Sequence, residues 1–252
     1  MTIAIRVLLF VAAAVGGGLN SVAGGGSFVA FPALLLAGVP PIPANATNTI
    51  ALWPASVASA FAYRREIRDV RREIVPMGVA SLAGGLLGSL LLLRTAPHTF
   101  VLLIPFLLLF ASTLFTFGGR IAKTLTQGAR APLPAAVAAQ LAISVYGGYF
   151  GGGIGIMMLA VMTLLGMTHI HQMNGMKNIL GALINGVAVV AFVVAGAVQW
   201  GPGVFMIAGG ILGGYAGAAI ARRVNPKHVR RLVMTIAWTM TAYFFAKTYR
   251  QV

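Results

Sequence analysis

The sequence NSVAGGGSF at residues 20–28 decides how this chain must fold, because it places three consecutive glycines directly after an apolar run. Glycine inside a helix costs roughly 1 kcal/mol relative to alanine. In lipid the cost is greater, since freed backbone groups find no water there. A second stretch, GGYFGGGIGI at residues 147–156, has the same pattern. Both stretches predict a helix break within an apolar region.

The composition is typical of a membrane protein. Of the 252 residues, 59% are apolar and 8% are charged, whereas soluble domains carry about 25% charged residues. The charges fall in short clusters between apolar runs, which predicts an all-α, polytopic integral membrane protein. The net charge of +15 comes from basic loops of the kind that lie on the cytoplasmic side, so we expect the lipid bilayer, and no nucleic acid, as a partner.

Few residues are suited to catalysis or metal binding. The chain has no cysteine, and its three acids, Glu66, Asp69 and Glu73, all lie in one loop. Thiolate catalysis and cysteine-ligated metals are therefore excluded. The sequence also contains no Walker motif, nucleophile elbow or His/Glu metal spacing. We predict a protein that is not an enzyme, with no catalytic residue, no metal site and no cofactor.

Four segments recur in the same order along the chain, at offsets of 125 to 130 residues. Because the offset changes fall between apolar runs, where loops tolerate insertions, we predict a first repeat at residues 1–117, a cytoplasmic linker at 118–133 and a second repeat at 134–252. The matching pairs are the glycines at 24–26 and 151–153, the segments at 48–58 and 178–188, AGGLLGS at 83–89 and AGGILGG at 208–214, and Pro97 and Pro226.

The loop charges predict that the two repeats are inverted. The loop at 64–73 holds five arginines, whereas its partner at 196–201 holds no charge. Conversely, the loop at 94–98 holds one arginine, and its partner at 222–231 holds five basic residues. Equivalent loops then lie on opposite sides of the membrane. Each repeat must therefore cross the membrane an odd number of times.

This odd number determines how the glycine segments fold. The helices predicted at 28–38 and 154–166 are about 16–20 Å long, too short for a hydrocarbon core of about 30 Å. We therefore predict that residues 3–38 and 134–166 form broken or re-entrant hairpins with a triple glycine at each tip. Three transmembrane helices follow in each repeat, and both termini lie outside.

We predict that the two glycine tips meet near the midplane and face a polar cavity. The second arm of each hairpin begins with N–H groups that have no helical acceptor, and these groups favour an anion. The predicted substrate-binding residues are Asn20, Ser21, Gly24, Gly25, Gly26, Ser27, Asn48, Tyr149, Gly151, Gly152, Gly153, Lys177 and Asn178.

Each of these residues also has a purely structural interpretation. Glycines pack membrane helices closely, which is our prediction for AGGLLGS and AGGILGG and the alternative for the two tips. Asn48 and Asn178 are repeat partners that could form interhelical hydrogen bonds. Lys177 could extend to the cytosolic interface.

These motifs resemble those of the TauE/SafE sulfite exporter family, also called the 4-toluene sulfonate uptake permease family. The resemblance rests on GGGLNSVAGGGSFVAFPALLLAGVPPIPANATNT near the N-terminus, GGYFGGGIGIMML in the second half, AGGLLGSLLL and AGGILGGYAGAAI, and it extends over nearly the whole chain. It implies an inner-membrane transporter of about eight helices that moves organosulfonates, sulfite or other small anions.

We therefore expect a secondary transporter of a small anion (sulfite, an organosulfonate, or a related sulfur-containing or carboxylate anion) that works by alternating access. An anion channel and a non-transporting membrane scaffold or assembly protein are the alternatives. The sequence leaves open the substrate, the direction of transport, the coupling ion, and whether the protein forms a homodimer.

Overall fold

The computed structural model describes residues 1–22, 25–62, 71–125, 131–220 and 226–249. Within these residues the chain forms ten α-helices and no strand. Four segments are long and apolar enough to span a membrane: Ile3–Asn20, Arg72–Arg94, Pro97–Gly118 and Gln172–Val194. The predicted all-α, polytopic membrane class is confirmed. The helices are α1 (Ile3–Val22), α2 (Ser27–Leu36), α3 (Pro41–Ala62), α4 (Arg71–Arg94), α5 (Pro97–Leu125), α6 (Leu133–Tyr149), α7 (Ile154–Leu164), α8 (Ile170–Val194), α9 (Trp200–Ile220) and α10 (Pro226–Tyr249).

The two short helices predicted after the glycines are present, and α2 and α7 have 10 and 11 residues. The main difference from the sequence prediction concerns α5. Its apolar run ends at residue 117, but the helix continues to Leu125, because Arg120 and Lys123 are good helix formers and no proline interrupts them. The first part of the predicted linker at 118–133 is therefore helical, and residues 126–130 lie outside the described part of the chain.

Each glycine segment turns the chain back on itself. A Cβ atom added to Gly16 of α1 would lie 2.9 Å from the carbonyl oxygen of Gly26 and 3.4 Å from Cβ of Ala30. Helix α2 therefore returns along the end of α1. In the second half, the N–H of Ala131 donates to the carbonyl oxygen of Leu164 at 2.9 Å, so the end of α7 lies beside the start of α6.

The turns themselves require glycine. Gly25, Gly151 and Gly153 have φ angles of 97°, 81° and 78°, which side chains of L-residues rarely adopt. This backbone conformation follows the ends of α1 and α6 and lets the short second arms start in a new direction. The local conformational requirement explains why glycine occurs in both breaks.

Glycines on α4 and α9 bring helix backbones into direct contact, as predicted for these two motifs. A Cβ atom at Gly213 of α9 would overlap the carbonyl oxygen of Ala14 on α1. A Cβ atom at Gly88 of α4 would likewise overlap the carbonyl oxygen of Val145 on α6. Small residues allow this approach, which gains van der Waals contact where lipid offers no hydrophobic driving force.

Repeat equivalence and helix packing together group the helices into two units, in which α10 is placed by its equivalence to α5 although it packs most extensively on α5. Helices α1 and α3 of the first repeat pack on α9 of the second repeat. Their repeat equivalents α6 and α8 pack on α4, which is the equivalent of α9. Unit A consists of α1, α2, α3, α9 and α10, and unit B consists of α4 to α8. The main contacts between the units are α3 on α8 and α5 on α10. Each unit therefore combines helices from both sequence repeats.

Candidate functional site

A cavity lies between unit A and unit B, and both glycine segments contribute to it. Its volume is about 60 Å³, several times the roughly 10–15 Å³ that one water molecule needs. Unit A contributes Asn20, Gly25, Ala55, Ser56 and Ser59, and unit B contributes Gly151, Gly153, Ile154, Gly155, Met158, Lys177, Asn178, Gly181 and Asn185. The two tips thus reach one cavity, and its depth in the membrane stays a prediction.

Lys177 and the start of α7 place positive charge at this cavity. A Cβ atom at Gly155 would lie 3.3 Å from Cδ of Lys177, so the lysine stem crosses the first turn of α7. The N-cap residue of α7 is Gly153, which has no side chain that could accept a hydrogen bond from the first N–H groups of the helix. The first backbone bond runs from the N–H of Ile156 to the oxygen of Gly153. The N–H groups of Ile154 and Gly155 precede it and have no helical acceptor, at the positive end of the helix dipole.

The remaining polar groups of the lining are neutral. Nδ2 of Asn20 donates to Oγ of Ser56 at 3.4 Å, and Asn178 and Asn185 of α8 add two more amides. None of the described residues that line the cavity is acidic, and Lys177 is the only lysine or arginine among them. Amide and hydroxyl donors around one ammonium group can bind an anion through charge-assisted hydrogen bonds.

Six of the thirteen predicted site residues line the cavity: Asn20, Gly25, Gly151, Gly153, Lys177 and Asn178. Gly24 and the side chain of Ser21 lie outside the described part of the structure. A substrate role for all thirteen stays a prediction.

The other five predicted residues are packed away from the cavity. Nδ2 of Asn48 donates to Oγ of Ser27 at 3.1 Å. The hydroxyl group of Tyr149 lies 3.3 Å from Oγ1 of Thr95, in a separate apolar groove. These side chains face other protein groups in this structure.

The two remaining glycines serve close packing. A Cβ atom at Gly26 would overlap the carbonyl oxygen of Gly16, and one at Gly152 would lie 3.0 Å from the ring of Phe150. These contacts agree with the packing interpretation of the two positions, whereas Gly25, Gly151 and Gly153 line the cavity.

The sequence prediction omitted three polar residues that line the cavity: Ser56, Ser59 and Asn185. Helical spacing could have identified them. Ser56 and Ser59 lie three residues apart on α3, and Asn185 lies seven residues after Asn178 on α8, so each pair shares a helix face. Isolated serines in apolar helices gave no other signal.

Comparison with known proteins gives a consistent result. The family model for the sulfite exporter TauE/SafE matches residues 9–244. The probable membrane transporter protein ORF9 of a Sinorhizobium species is 30% identical over 236 residues, covering 91% of this chain and 88% of the relative. No solved structure matches the chain significantly.

Two further relatives carry similar names. The probable membrane transporter protein of Haemophilus influenzae is 28% identical, covering 93% of this chain and 92% of its own length. The probable membrane transporter protein YfcA of Escherichia coli K12 is 27% identical, covering 93% and 87%. The predicted family is therefore confirmed, and the function class it indicates is membrane transport. The chain belongs to the TauE/SafE sulfite exporter family of membrane transporters.

Proposed function

We propose that the chain carries a small anion across the membrane by alternating access, with the anion held in the cavity between the two glycine breaks. The substrate class is sulfite, an organosulfonate, or a related sulfur-containing or carboxylate anion. The observation that carries this proposal is the lining itself, in which Lys177 and the start of α7 meet neutral amides and hydroxyls, with no acid among the described lining residues. In the low dielectric of a membrane protein such groups act strongly on an anion.

Helix α1 of the first repeat packs on α9 of the second, and the equivalent helix α6 of the second repeat packs on α4 of the first. This reciprocal packing supports a two-fold relation between the repeats. Combined with the opposite loop charges, it favours an axis in the membrane plane, which is the arrangement of inverted repeats. In this proposal the linker at 118–133 faces the cytoplasm, both termini face outside, and the protein resides in the inner membrane.

The bodies that move are unit A and unit B rather than the two sequence repeats. The backbone contacts of Gly213 with Ala14 and of Gly88 with Val145 each join helices of different repeats. A motion of one repeat against the other would break these contacts. The cavity lies between the units, so a motion of unit A against unit B changes access to it directly.

The repeat relation also indicates which residues become exposed in the second of the two alternating conformations. At the offset of 130, Asn178 corresponds to Asn48, and at 127, Ile154 corresponds to Ser27. Asn178 and Ile154 line the cavity, whereas Asn48 and Ser27 are bonded to each other. If the units exchange their arrangements, Asn48 and Ser27 separate and face an opening on the opposite side.

Transport by purified protein in liposomes tests the proposal directly. A thermal-shift screen with sulfite, sulfonates and small carboxylates identifies an anion that binds, since binding to the native state raises its stability. We expect the liposomes to take up this anion. Gly181→Leu is expected to lose most of the uptake, because a Cβ atom there meets only Met158 Cε at 3.8 Å and the leucine extends into the cavity.

Gly201→Leu is the matched control, since nothing lies within 4 Å of a Cβ atom at that position. It is expected to retain the uptake of the wild-type protein. Absence of flux for every anion in the screen, or full activity of Gly181→Leu, would contradict transport through this cavity.

Labelling of single cysteines tests alternating access. The chain has no cysteine, so Ser59→Cys and Ser27→Cys each introduce one thiol. A membrane-impermeant maleimide is expected to label the two variants from opposite faces of sealed vesicles. Labelling of Ser27→Cys should be about tenfold or more slower, because a minor state is typically 0.1–10% populated. Labelling of both thiols from one face alone would argue for a single fixed cavity.

A further inference from the structure

Two buried amides on α3 hold the two glycine breaks. Nδ2 of Asn45 donates to the carbonyl oxygen of Tyr149, the last residue of α6, at 3.1 Å. Nδ2 of Asn48 donates to Oγ of Ser27, the first residue of α2, at 3.1 Å. Both Oδ1 atoms are buried without a hydrogen-bond partner among the described residues. Such unpaired oxygens are costly in a protein interior and more so in lipid.

The two asparagines lie on one face of α3, and the amide of Asn45 lies beside a helix end. Asn45 and Asn48 are 1% and 2% exposed, and their spacing of three residues puts them on one face of α3. Helix α6 ends beside Asn45 at Tyr149. The carbonyl group of Tyr146 accepts from the N–H groups of Phe150 and Gly151, whereas the carbonyl groups after it lack helical donors and carry the negative end of the dipole. In broken-helix transporters, such helix ends and unwound carbonyls coordinate cations.

We propose that the Oδ1 atoms of Asn45 and Asn48, together with carbonyl groups at the end of α6, bind a sodium ion that is coupled to the anion. Oxygen ligands suit hard cations, and unwound carbonyl groups at helix ends coordinate Na⁺ in broken-helix transporters. The three acids of the chain lie outside α3 and α6. A proton is not an alternative at this position, because amide side chains do not titrate near neutral pH.

Such an ion would connect the moving parts. Asn45 belongs to unit A and its partner Tyr149 to unit B, while Asn48 reaches the start of α2. Bound sodium therefore favours one arrangement of the units over the other, which is what coupling requires. It also offsets the charge of a monovalent anion. Sodium binding is independent of the proposed transport function, and only the coupling rests on it.

Thermal unfolding of the purified protein, without any substrate anion, tests the site. The probes are NaCl, KCl and choline chloride at equal ionic strength. We expect the wild-type Tm to be about 2–4 °C higher in NaCl than in the other two salts. We call this rise in Tm the sodium increment. Asn45→Ala and Asn48→Ala should abolish it. Asn48→Asp should keep it, because the carboxylate retains the oxygen ligands and accepts a hydrogen bond from Ser27.

Gln140→Ala is the matched control. Gln140 is a fully buried amide whose Oε1 also lacks a partner among the described residues, and it bonds to Ser81 of α4, away from both breaks. Its loss should lower the Tm in all three salts and leave the sodium increment unchanged. An equal wild-type Tm in the three salts overturns the proposal, as does a full sodium increment in the Asn45→Ala/Asn48→Ala double variant.

Uptake measurements separate this proposal from the transport function. A sodium increment in a protein that carries no tested anion would leave the cation site standing and the transport proposal wrong. Anion uptake at the same rate in NaCl and choline chloride, without a sodium increment, would leave the transport proposal standing and the cation site wrong.

Discussion

Replacing Lys177 with methionine is expected to lower the initial rate of anion uptake about 100-fold or more, and to abolish the thermal shift caused by the anion. Methionine keeps most of the side-chain length and removes the charge. Two unit charges 4 Å apart interact by about 4 kcal/mol at an effective dielectric constant of 20, which corresponds to nearly 1,000-fold in an equilibrium constant. Part of this interaction is offset by the cost of removing both groups from water, which leaves the smaller expected factor.

Two variants make this result specific to the cavity. Lys177→Arg keeps the charge and is expected to retain part of the uptake. Lys247→Met removes a lysine from the end of α10, where Nζ lies 5.9 Å from the centre of the Tyr243 ring, outside the cavity, and is expected to leave uptake unchanged. Wild-type rates for Lys177→Met would show that the anion does not depend on this charge.

Replacing Gly213 with alanine is expected to destabilise the fold by about 3 kcal/mol or more, although it adds only one methyl group. That methyl group would overlap the backbone oxygen of Ala14, and a backbone atom cannot move aside as a flexible side chain can. Helices α1 and α9 would have to separate. The expected drop in Tm is about 6 °C or more, because each 1 kcal/mol shifts Tm by about 2–4 °C for a chain of 150–250 residues.

Gly201→Ala is the control within the same helix, because its added methyl group meets nothing within 4 Å. It is expected to leave the Tm unchanged or to raise it slightly, since alanine favours helix over glycine. The two alanine variants of α9 therefore separate close packing from helix propensity. Equal Tm values would mean that the α1–α9 contact contributes little to stability.

The features that could be predicted from sequence are those set by local chemistry. Consecutive glycines with positive φ at Gly25, Gly151 and Gly153 break a helix whatever surrounds them. The short arms after the breaks follow from the length of their apolar runs. Lys177 and Asn178 were identifiable because a charge and an amide are unusual inside an apolar segment.

The order of helix packing could not be predicted, because it depends on contacts between distant parts of the chain. Ala14 and Gly213 are brought together by the complete fold, and a glycine-rich stripe does not specify which helix it will contact. The sequence also could not distinguish Asn178, which faces the cavity, from its repeat partner Asn48, which bonds Ser27. The two repeats are similar in sequence, and a single conformation places their equivalent residues in different surroundings.

The pairing of α1 with α9 has a consequence for biosynthesis. Helix α1 ends at Val22 and α9 at Ile220, so at about 5–20 residues per second the partner of α1 is completed about 10–40 s later. During this interval the face of α1 that packs on α9 lacks that helix. By contrast, only α5 intervenes between α4 and α6 along the chain. The N-terminal helix is therefore the segment for which a membrane insertase or chaperone has the longest time to act.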